Sequence, residues 1–351
     1  MIRLKEQTMS HALFGTRIIA APMAGGTSTP GFVAAVGRAG GLGFLAAGYK
    51  TVPAMSEEIR AAREAGIRFG VNVFVPDPAQ LHPSPEDVGR LEQYRLSLRG
   101  DADRYGVSLP PLRLDDDDHW QGKIDELLLD PVELVSFAFG LPESSVVAAL
   151  RRAGSAVLAT VTSRAEAELA ADRGVDALVV QHSSAGAHSG AFLGDRRPAG
   201  TPSSTAELVR EVRAAVGLPL IAAGAMSDAA AVTSVLAAGA EAAQVGTALL
   251  RSDESGARQL HKDALGAARF TETRLTRAFT GRYARALVNE FVRDHGDAPV
   301  GYPAIHHLTA PVRAAAAAAG DAERLNLWAG TGWRTAKTGP VADAISSLLE
   351  G

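Results

Sequence analysis

Cysteine is absent from the 351 residues of this chain. Its absence excludes disulfides, iron–sulfur clusters, zinc–thiolate sites and a cysteine nucleophile. Any redox chemistry must therefore come from a bound cofactor rather than from thiols.

The chain also lacks a block of basic residues and a long apolar run. Its formal net charge is −4, and no Lys/Arg cluster is of the kind that follows a phosphate backbone, so nucleic acid is not an expected partner. No apolar segment reaches the roughly 18 residues of a membrane span. The opening MIRLKEQTMSHALFG is charged and has no apolar signal core. We therefore expect a cytoplasmic protein with no membrane partner.

Apolar residues make up 46% of the chain and charged residues 21%, as in a globular protein with a large core. The length suits two ordinary domains, or one α/β barrel with an addition.

Short apolar runs alternate with segments of helical spacing along most of the chain. The runs predict strands at 17–23, 41–48, 67–75, 131–140, 155–161, 175–181, 218–226 and 240–250. Helices are predicted at 29–40, 52–66, 142–154, 163–174, 203–217 and 227–239. Continuous apolar strands are typical of parallel sheets that are buried on both faces. Eight such units in about 250 residues predict an α/β TIM (β/α)8 barrel. The alternative is a doubly wound sheet, but no GxGxxG opens the first turn.

Two regions depart from this alternation. Residues 76–130 are rich in Pro and Asp and have helical spacing at 85–99, which predicts an insertion containing the third barrel helix. Residues 260–351 predict a mostly helical segment, most clearly in APVRAAAAAAGDAERLNLWAG. We therefore expect a barrel over 1–259 and a C-terminal cap over 260–351.

The active site of a TIM barrel lies at the carboxyl ends of its strands, so we consider the residues found there. Gly224, Gly246 and Thr247 follow strands seven and eight, where main-chain N–H groups commonly bind phosphate. These glycines can equally serve only to close the turns. Asn72 and Gln181 are amides that suit the polar edge of a heteroaromatic ring, or that satisfy neighbouring backbone.

The stretch HSSAGAHSG follows strand six and carries two imidazoles on a Gly/Ser-rich turn. His188 has small neighbours that leave room for a ligand, although a loop histidine is often an ordinary surface residue. His182 either joins the site or points back into packing.

Two other polar clusters are not interpreted as metal sites, and for the second a structural or a pocket-lining role is expected. DDDDHW at 115–120 is expected to be a solvated loop, because Ca²⁺ ligands usually alternate along a loop. YPAIHHLT has two adjacent histidines and no second cluster at metal spacing, so no metal site is predicted.

Taken in order, the strand-end segments resemble the nitronate monooxygenases, formerly called 2-nitropropane dioxygenases, and in particular their class I branch. The similar stretches include APMAGGTSTPGFVAAVGRAGGLGFLAAGYKT, FGVNVFVP, VSFAFGLP, ALVVQHSSAGAHSGAF, PLIAAGAMSDAAAVTSVLAAGAEAAQVGTALL, TRAFTGRYARALVNEF and YPAIHHLTAPVRAAAAAAGDAERLNLWAG. They cover nearly the whole chain, and the set is far more specific than any one of them.

The resemblance implies an FMN-dependent TIM-barrel enzyme. His188 matches the active-site histidine of the family, and Tyr302 with His306 or His307 would lie near the substrate. The cofactor-binding residues that the resemblance implies are Pro22, Met23, Ala24, Asn72, Gln181, Gly186, Gly224, Gln244, Val245, Gly246 and Thr247. A homodimer is the assembly considered.

The histidine turn departs from the family pattern, which is nearer to GAEAGGHRG. Ser184 replaces an acidic residue, Ala187 a glycine and Ser189 an arginine, while His182 replaces a small residue. The loss of an arginine beside His188 is expected to weaken the hold on a carboxylate-bearing nitronate.

The resemblance implies oxidation of alkyl nitronates, such as propionate 3-nitronate, by O2 to a carbonyl compound and nitrite. Two alternatives remain at this point. One is an NAD(P)H-dependent quinone or enoyl-thioester reductase, and the other is a catalytically silent flavin-binding barrel.

Overall fold

The computed structural model describes residues 13–194 and 202–350. Eight parallel strands close into a barrel in the order β1-β2-β3-β4-β5-β6-β8-β9, and β9 pairs with β1 through Ile19 and Gln244. The barrel strands are β1 Ile18–Ala20, β2 Leu42–Ala46, β3 Phe69–Phe74, β4 Leu134–Ala138, β5 Ala156–Val161, β6 Ala177–Gln181, β8 Leu220–Ala223 and β9 Ala242–Val245. The predicted TIM barrel is confirmed.

The helices of the described residues match every segment predicted between 29 and 239, and several more were not predicted individually. They are α1 Pro30–Arg38, α2 Val52–Glu64, α3 Pro78–Leu81, α4 Pro85–Ser97, α5 Arg99–Tyr105, α6 Trp120–Leu129, α7 Ser144–Arg152, α8 Arg164–Asp172, α9 Thr205–Ala215, α10 Ala229–Ala237, α11 Gln259–Gly266, α12 Glu290–Asp294, α13 Ala304–Ala318 and α14 Val341–Leu349. None of the helices in the described ranges is long and apolar enough to cross a membrane.

Several barrel helices begin where a polar side chain caps their free N–H groups. Thr29 accepts a hydrogen bond from the Phe32 N–H at 3.1 Å, and Asp228 accepts one from the Ala231 N–H at 2.8 Å. Such caps contribute about 1 kcal/mol each, and they fix the points at which the strand-to-helix loops end.

The barrel interior is a packed core. Alternate strand residues such as Phe44, Leu158 and Ile221 fill it, and Phe14 contributes to the same cluster. A Cβ added at Gly70 would lie 2.2 Å from the Phe44 ring, so only glycine leaves room for that ring. A second apolar layer joins the outer faces of the strands to the helices.

The insertion differs from the prediction in one respect. Helix α4 matches the predicted 85–99 segment, but it leaves the barrel and packs on the C-terminal region, where Tyr94 donates a hydrogen bond to the Ala278 carbonyl at 2.6 Å. In the outer ring of barrel helices, the place after β3 is instead occupied by α6, which packs between α2 and α7. Helical spacing was read correctly, but it carries no information about which core a helix joins.

The C-terminal region adds strands as well as helices. Strands β10 Thr273–Thr276 and β11 Ala284–Leu287 form an antiparallel hairpin, and the short β7 Ala187–His188 pairs with β11. The last helix, α14, returns to the barrel and packs between α1 and α10. The boundary at 259/260 stays a prediction, and α4 and α14 both pack across it.

Replacing Leu348 by Ala should lower the free energy of unfolding by about 2–4 kcal/mol, because its side chain is 3% exposed in the apolar layer between the barrel strands and the helices. Leu349→Ala is the matched control: this neighbour is 46% exposed, and its loss should cost well under about 1 kcal/mol. Denaturant unfolding of both variants checks this. Equal losses would contradict the packing of α14 on the barrel.

Candidate active site

A cavity lies at the carboxyl ends of the barrel strands, facing the C-terminal region. Met23, Asn72, Gln181 and Gly246 line it from the barrel, each just after or at the end of a strand. The opposite wall comes from the C-terminal region and includes Thr280, His306, Arg313, Asn326 and Trp328. The cavity is thus closed by two parts of the chain, as a small-molecule site usually is.

Most of the sequence-predicted residues line this one cavity. They are Pro22, Met23, Ala24, Asn72, Gln181, Gly186, His188, Gly224, Gln244, Gly246, Thr247 and His306.

Three predicted residues lie elsewhere. Val245 points outward into the core between strands and helices. Tyr302 borders a smaller neighbouring cavity, although its ring lies 5.8 Å from that of His188. His307 points away from the main cavity, and its Nε2 lies 2.6 Å from an oxygen of Asp116.

The Gln181 amide holds the histidine turn together. Its Nε2 donates to the His188 carbonyl at 3.0 Å, and its Oε1 accepts from the Gly190 N–H at 2.7 Å. Ala187, which directly precedes His188, has φ +61°, a left-handed conformation that is rare for alanine. Of the two roles considered for Gln181, satisfying a neighbouring backbone is the one that these contacts support. The turn directs His188 into the cavity.

His188 is surrounded by aromatic rings. The ring centroids of Phe139, Tyr302 and Trp328 lie 5.3–5.8 Å from its own. Its Nε2 lies 2.9 Å from the Thr280 hydroxyl oxygen. Burial, with the nearby positive charges of Arg282 and Arg313, lowers the pKa of His188 to about 3. The ring is therefore neutral at physiological pH.

His182 and Ser184, two residues of the histidine turn that differ from the family pattern, interact with each other. His182 Nδ1 lies 2.8 Å from the Ser184 hydroxyl oxygen, and its Nε2 lies 3.0 Å from the Pro202 carbonyl oxygen. Both ring nitrogens are engaged outside the cavity lining, so His182 packs the loop rather than joining the site.

The cavity is positive in character. Its described lining contains no aspartate or glutamate, whereas it includes Arg258 and Arg313. Arg313 donates to the Thr309 hydroxyl at 3.0 Å and to the His306 carbonyl at 2.9 Å, and it has no carboxylate partner among the described residues. Burial lowers its pKa to about 10, which leaves it charged at neutral pH. Such a site favours an anionic ligand.

Small residues line the side of the cavity formed after β8 and β9. Gly224 has φ +121° and the adjacent Ala225 +55°. A Cβ at Gly246 would meet only Ala21 and Met23 within 4 Å. Thr247 is partly committed to the fold, because its hydroxyl oxygen accepts from the Gly330 N–H at 3.0 Å.

Sequence reasoning missed several lining residues, above all Tyr49 and Arg313. Tyr49 lies in AAGYKT, after β2, and its ring stacks on His306 with centroids 4.1 Å apart. Burial raises the pKa of Tyr49 to about 12. Arg313 lies one helical turn beyond Thr309 in the quoted HHLTAPVR segment, so the helical spacing was the available signal.

Comparisons with known proteins agree with this geometry. The family model described as nitronate monooxygenase matches residues 7–351. A probable nitronate monooxygenase of Staphylococcus aureus strain MSSA476 is 35% identical over 339 residues, covering 95% of this chain and 93% of that protein.

Solved structures extend the comparison. Nitroalkane oxidase from Streptomyces ansochromogenes is 47% identical, with a TM-score of 0.91 and 96% of each chain covered. FabK from Thermotoga maritima is 24% identical with a TM-score of 0.72, which shows a shared fold only. The family and the nitroalkane oxidase likeness support the oxidation of nitro compounds. The chain belongs to the nitronate monooxygenase family and is a flavin-dependent oxidoreductase.

Proposed function

We propose that this enzyme binds FMN and uses O2 to oxidise nitronates that carry a carboxylate, such as propionate 3-nitronate, to a carbonyl compound and nitrite. The observation that carries the proposal is the charge of the cavity: a neutral His188 and a charged Arg313 line it, with no carboxylate in the described lining. A substrate with two negative ends matches such a site.

The residues on the barrel side fit FMN. The main chain at Gly224, Ala225, Gly246 and Thr247 can donate N–H groups to a phosphate, and no acidic side chain of the described lining would repel it. Met23 and Asn72 would lie along the ring system, and the Asn72 amide already donates to the Ser136 hydroxyl at 2.9 Å, which leaves its carbonyl oxygen to accept from the cofactor. When bound, FMN would accept the electrons of the nitronate and pass them to O2.

Arg313 would hold the carboxylate of the substrate. Its contacts with Thr309 and His306 fix the guanidinium in one orientation, and a planar guanidinium matches a carboxylate in two parallel hydrogen bonds. Arg313 would thereby take the role of the arginine that the family pattern has in the histidine turn, where this chain has Ser189.

His188 would act at the nitro end. The Thr280 hydroxyl lies beside Nε2, while Nδ1 has no hydrogen-bond partner among the described residues. A neutral imidazole can take the α-proton of a neutral nitroalkane at Nδ1, and the cation formed would then stabilise the resulting nitronate. With a preformed nitronate, an N–H at Nδ1 would instead donate to a nitro oxygen.

The direct test is the visible spectrum of the purified protein before and after anaerobic addition of propionate 3-nitronate, with NADH added to a parallel sample. Bleaching of the flavin bands by the nitronate, and not by NADH, is expected. Bleaching by NADH alone would favour a reductase and overturn the proposal. No flavin bands, even after incubation with FMN, would overturn the cofactor assignment.

Arg313→Met should raise KM for propionate 3-nitronate by about 10- to 100-fold, because a charge-assisted hydrogen bond contributes about 1.5–3 kcal/mol. KM for propyl-1-nitronate, which has no carboxylate, should change by about twofold or less. Arg274→Met is the control, since this exposed arginine of the hairpin strand β10 pairs with the exposed Glu272 and lies outside the cavity lining. Equal increases for the two nitronates would contradict the assignment of Arg313.

His188→Asn should lower turnover by about 100-fold or more, because a positioned acid or base typically contributes that much. Flavin content should be unchanged, since the ring contacts the substrate side. The exposed His82→Asn is the matched control. Full turnover in the His188 variant would remove this histidine from the mechanism.

A further inference from the structure

Tyr49 holds an unfavourable backbone conformation at the edge of the cavity. Its φ is +67°, in the left-handed region that a tyrosine seldom adopts. Such conformations persist only where surrounding contacts impose them, and they cluster at functional sites. The contacts that impose this one come from a distant part of the chain.

An ion pair between a buried lysine and a partly buried aspartate holds both ends of the turn that carries Tyr49. Asp118 accepts a hydrogen bond from the Tyr49 N–H at 2.8 Å. Its other oxygen lies 2.7 Å from Nζ of Lys123, which is fully buried on α6. The same Nζ donates to the Ala47 carbonyl at 2.9 Å. One carboxylate and one ammonium therefore fix the residues on either side of Gly48.

The same acidic loop, residues 115–118, also holds the opposite ring of the cavity wall. Asp116 contacts Nε2 of His307 at 2.6 Å, and the adjacent His306 stacks parallel on Tyr49. The two stacked rings come from the barrel and from α13. Two carboxylates, two residues apart, hold the chain beside them: Asp118 through the Tyr49 N–H, and Asp116 through His307, the neighbour of His306. The expectation of a solvated loop at 115–120 is therefore wrong for Asp116 and Asp118, whereas Asp115 and Asp117 are exposed.

We propose that Asp118, paired with Lys123, is a positioning residue that sets the Tyr49–His306 wall of the substrate cavity. The consequence for binding passes through Arg313, which donates to the His306 carbonyl at 2.9 Å. A displaced wall would therefore also displace the guanidinium. The kinetic test of this inference rests on the proposed function, whereas its structural test does not.

The kinetic test is a double-mutant cycle with Asp118→Asn and Tyr49→Ala in the holoenzyme. Asp118→Asn should raise KM for propionate 3-nitronate on the order of tenfold, with kcat changed much less. In the Tyr49→Ala background the same substitution should have little further effect, because Asp118 acts through that ring. Independent, multiplying effects on KM would overturn the proposal, as would an unchanged KM in the Asp118 variant.

Asp115→Asn is the matched control, because this aspartate lies in the same loop with its side chain 91% exposed. It should leave KM and kcat unchanged. Asp118→Asn leaves the Lys123 charge buried without its partner, which can prevent folding. The double variant Asp118→Asn/Lys123→Met removes both charges and should show the same rise in KM. A wild-type KM in a folded double variant would overturn the proposal.

A crystal structure of the Asp118→Asn holoenzyme separates this inference from the proposed function. If the wild-type enzyme fails to oxidise nitronates, the proposed function falls but the geometry can still be measured. Separation of the Tyr49 and His306 rings beyond their present 4.1 Å is the expected result. An unmoved stack would show that other contacts hold the wall.

Discussion

Barrel closure is the constraint on which the rest of this structure depends. Pairing of β9 with β1 brings the carboxyl ends of eight strands to one rim, so residues as distant as Met23 and Thr247 line one cavity. The rim alone leaves that cavity open to solvent. The C-terminal region closes it, and β7 belongs to both parts because it carries His188 and pairs with the hairpin strand β11. The position of His188 therefore depends on the docking of the two parts.

Charge is distributed unevenly between the cavity and its supports. The described lining holds arginines and neutral histidines, whereas the acidic groups lie behind it, where Asp118 and Asp116 hold other residues in place. Carboxylates inside the cavity would cancel the positive potential and repel an anionic ligand. Behind the wall they neutralise Lys123 and orient Tyr49 without that effect. The carboxylates behind the wall thus stabilise the structure, whereas the arginines of the lining remain available to bind a ligand.

Much of the fold and part of the site could be predicted from the sequence. Periodicity and glycine-ended helices gave all eight barrel strands, because parallel strands buried on both faces have a distinctive apolar pattern. The strand-end rule then indicated Asn72, Gln181, Gly224, Gly246 and Thr247 on the barrel side of the cavity, and the family resemblance added the rest. Neither gives side-chain direction: the Val245 side chain packs outward, and its role at the cofactor stays a prediction. Contacts between residues far apart in the chain could not be predicted from local sequence patterns either. Nothing near His307 in the sequence indicates its contact with Asp116, and nothing near Tyr49 indicates its contact with Asp118.

The return of α14 to the barrel bears on how the chain folds during synthesis. Ile345 and Leu348 fill the space between α1, near the start of the chain, and α10. A ribosome releases the strands of the barrel long before it releases residues 341–349. Until then, the nascent barrel exposes an apolar seam between its first and its last ring helices. The ring of helices is therefore completed only after residues 341–349 have been synthesised, and the nascent chain must be protected from association at that seam until then.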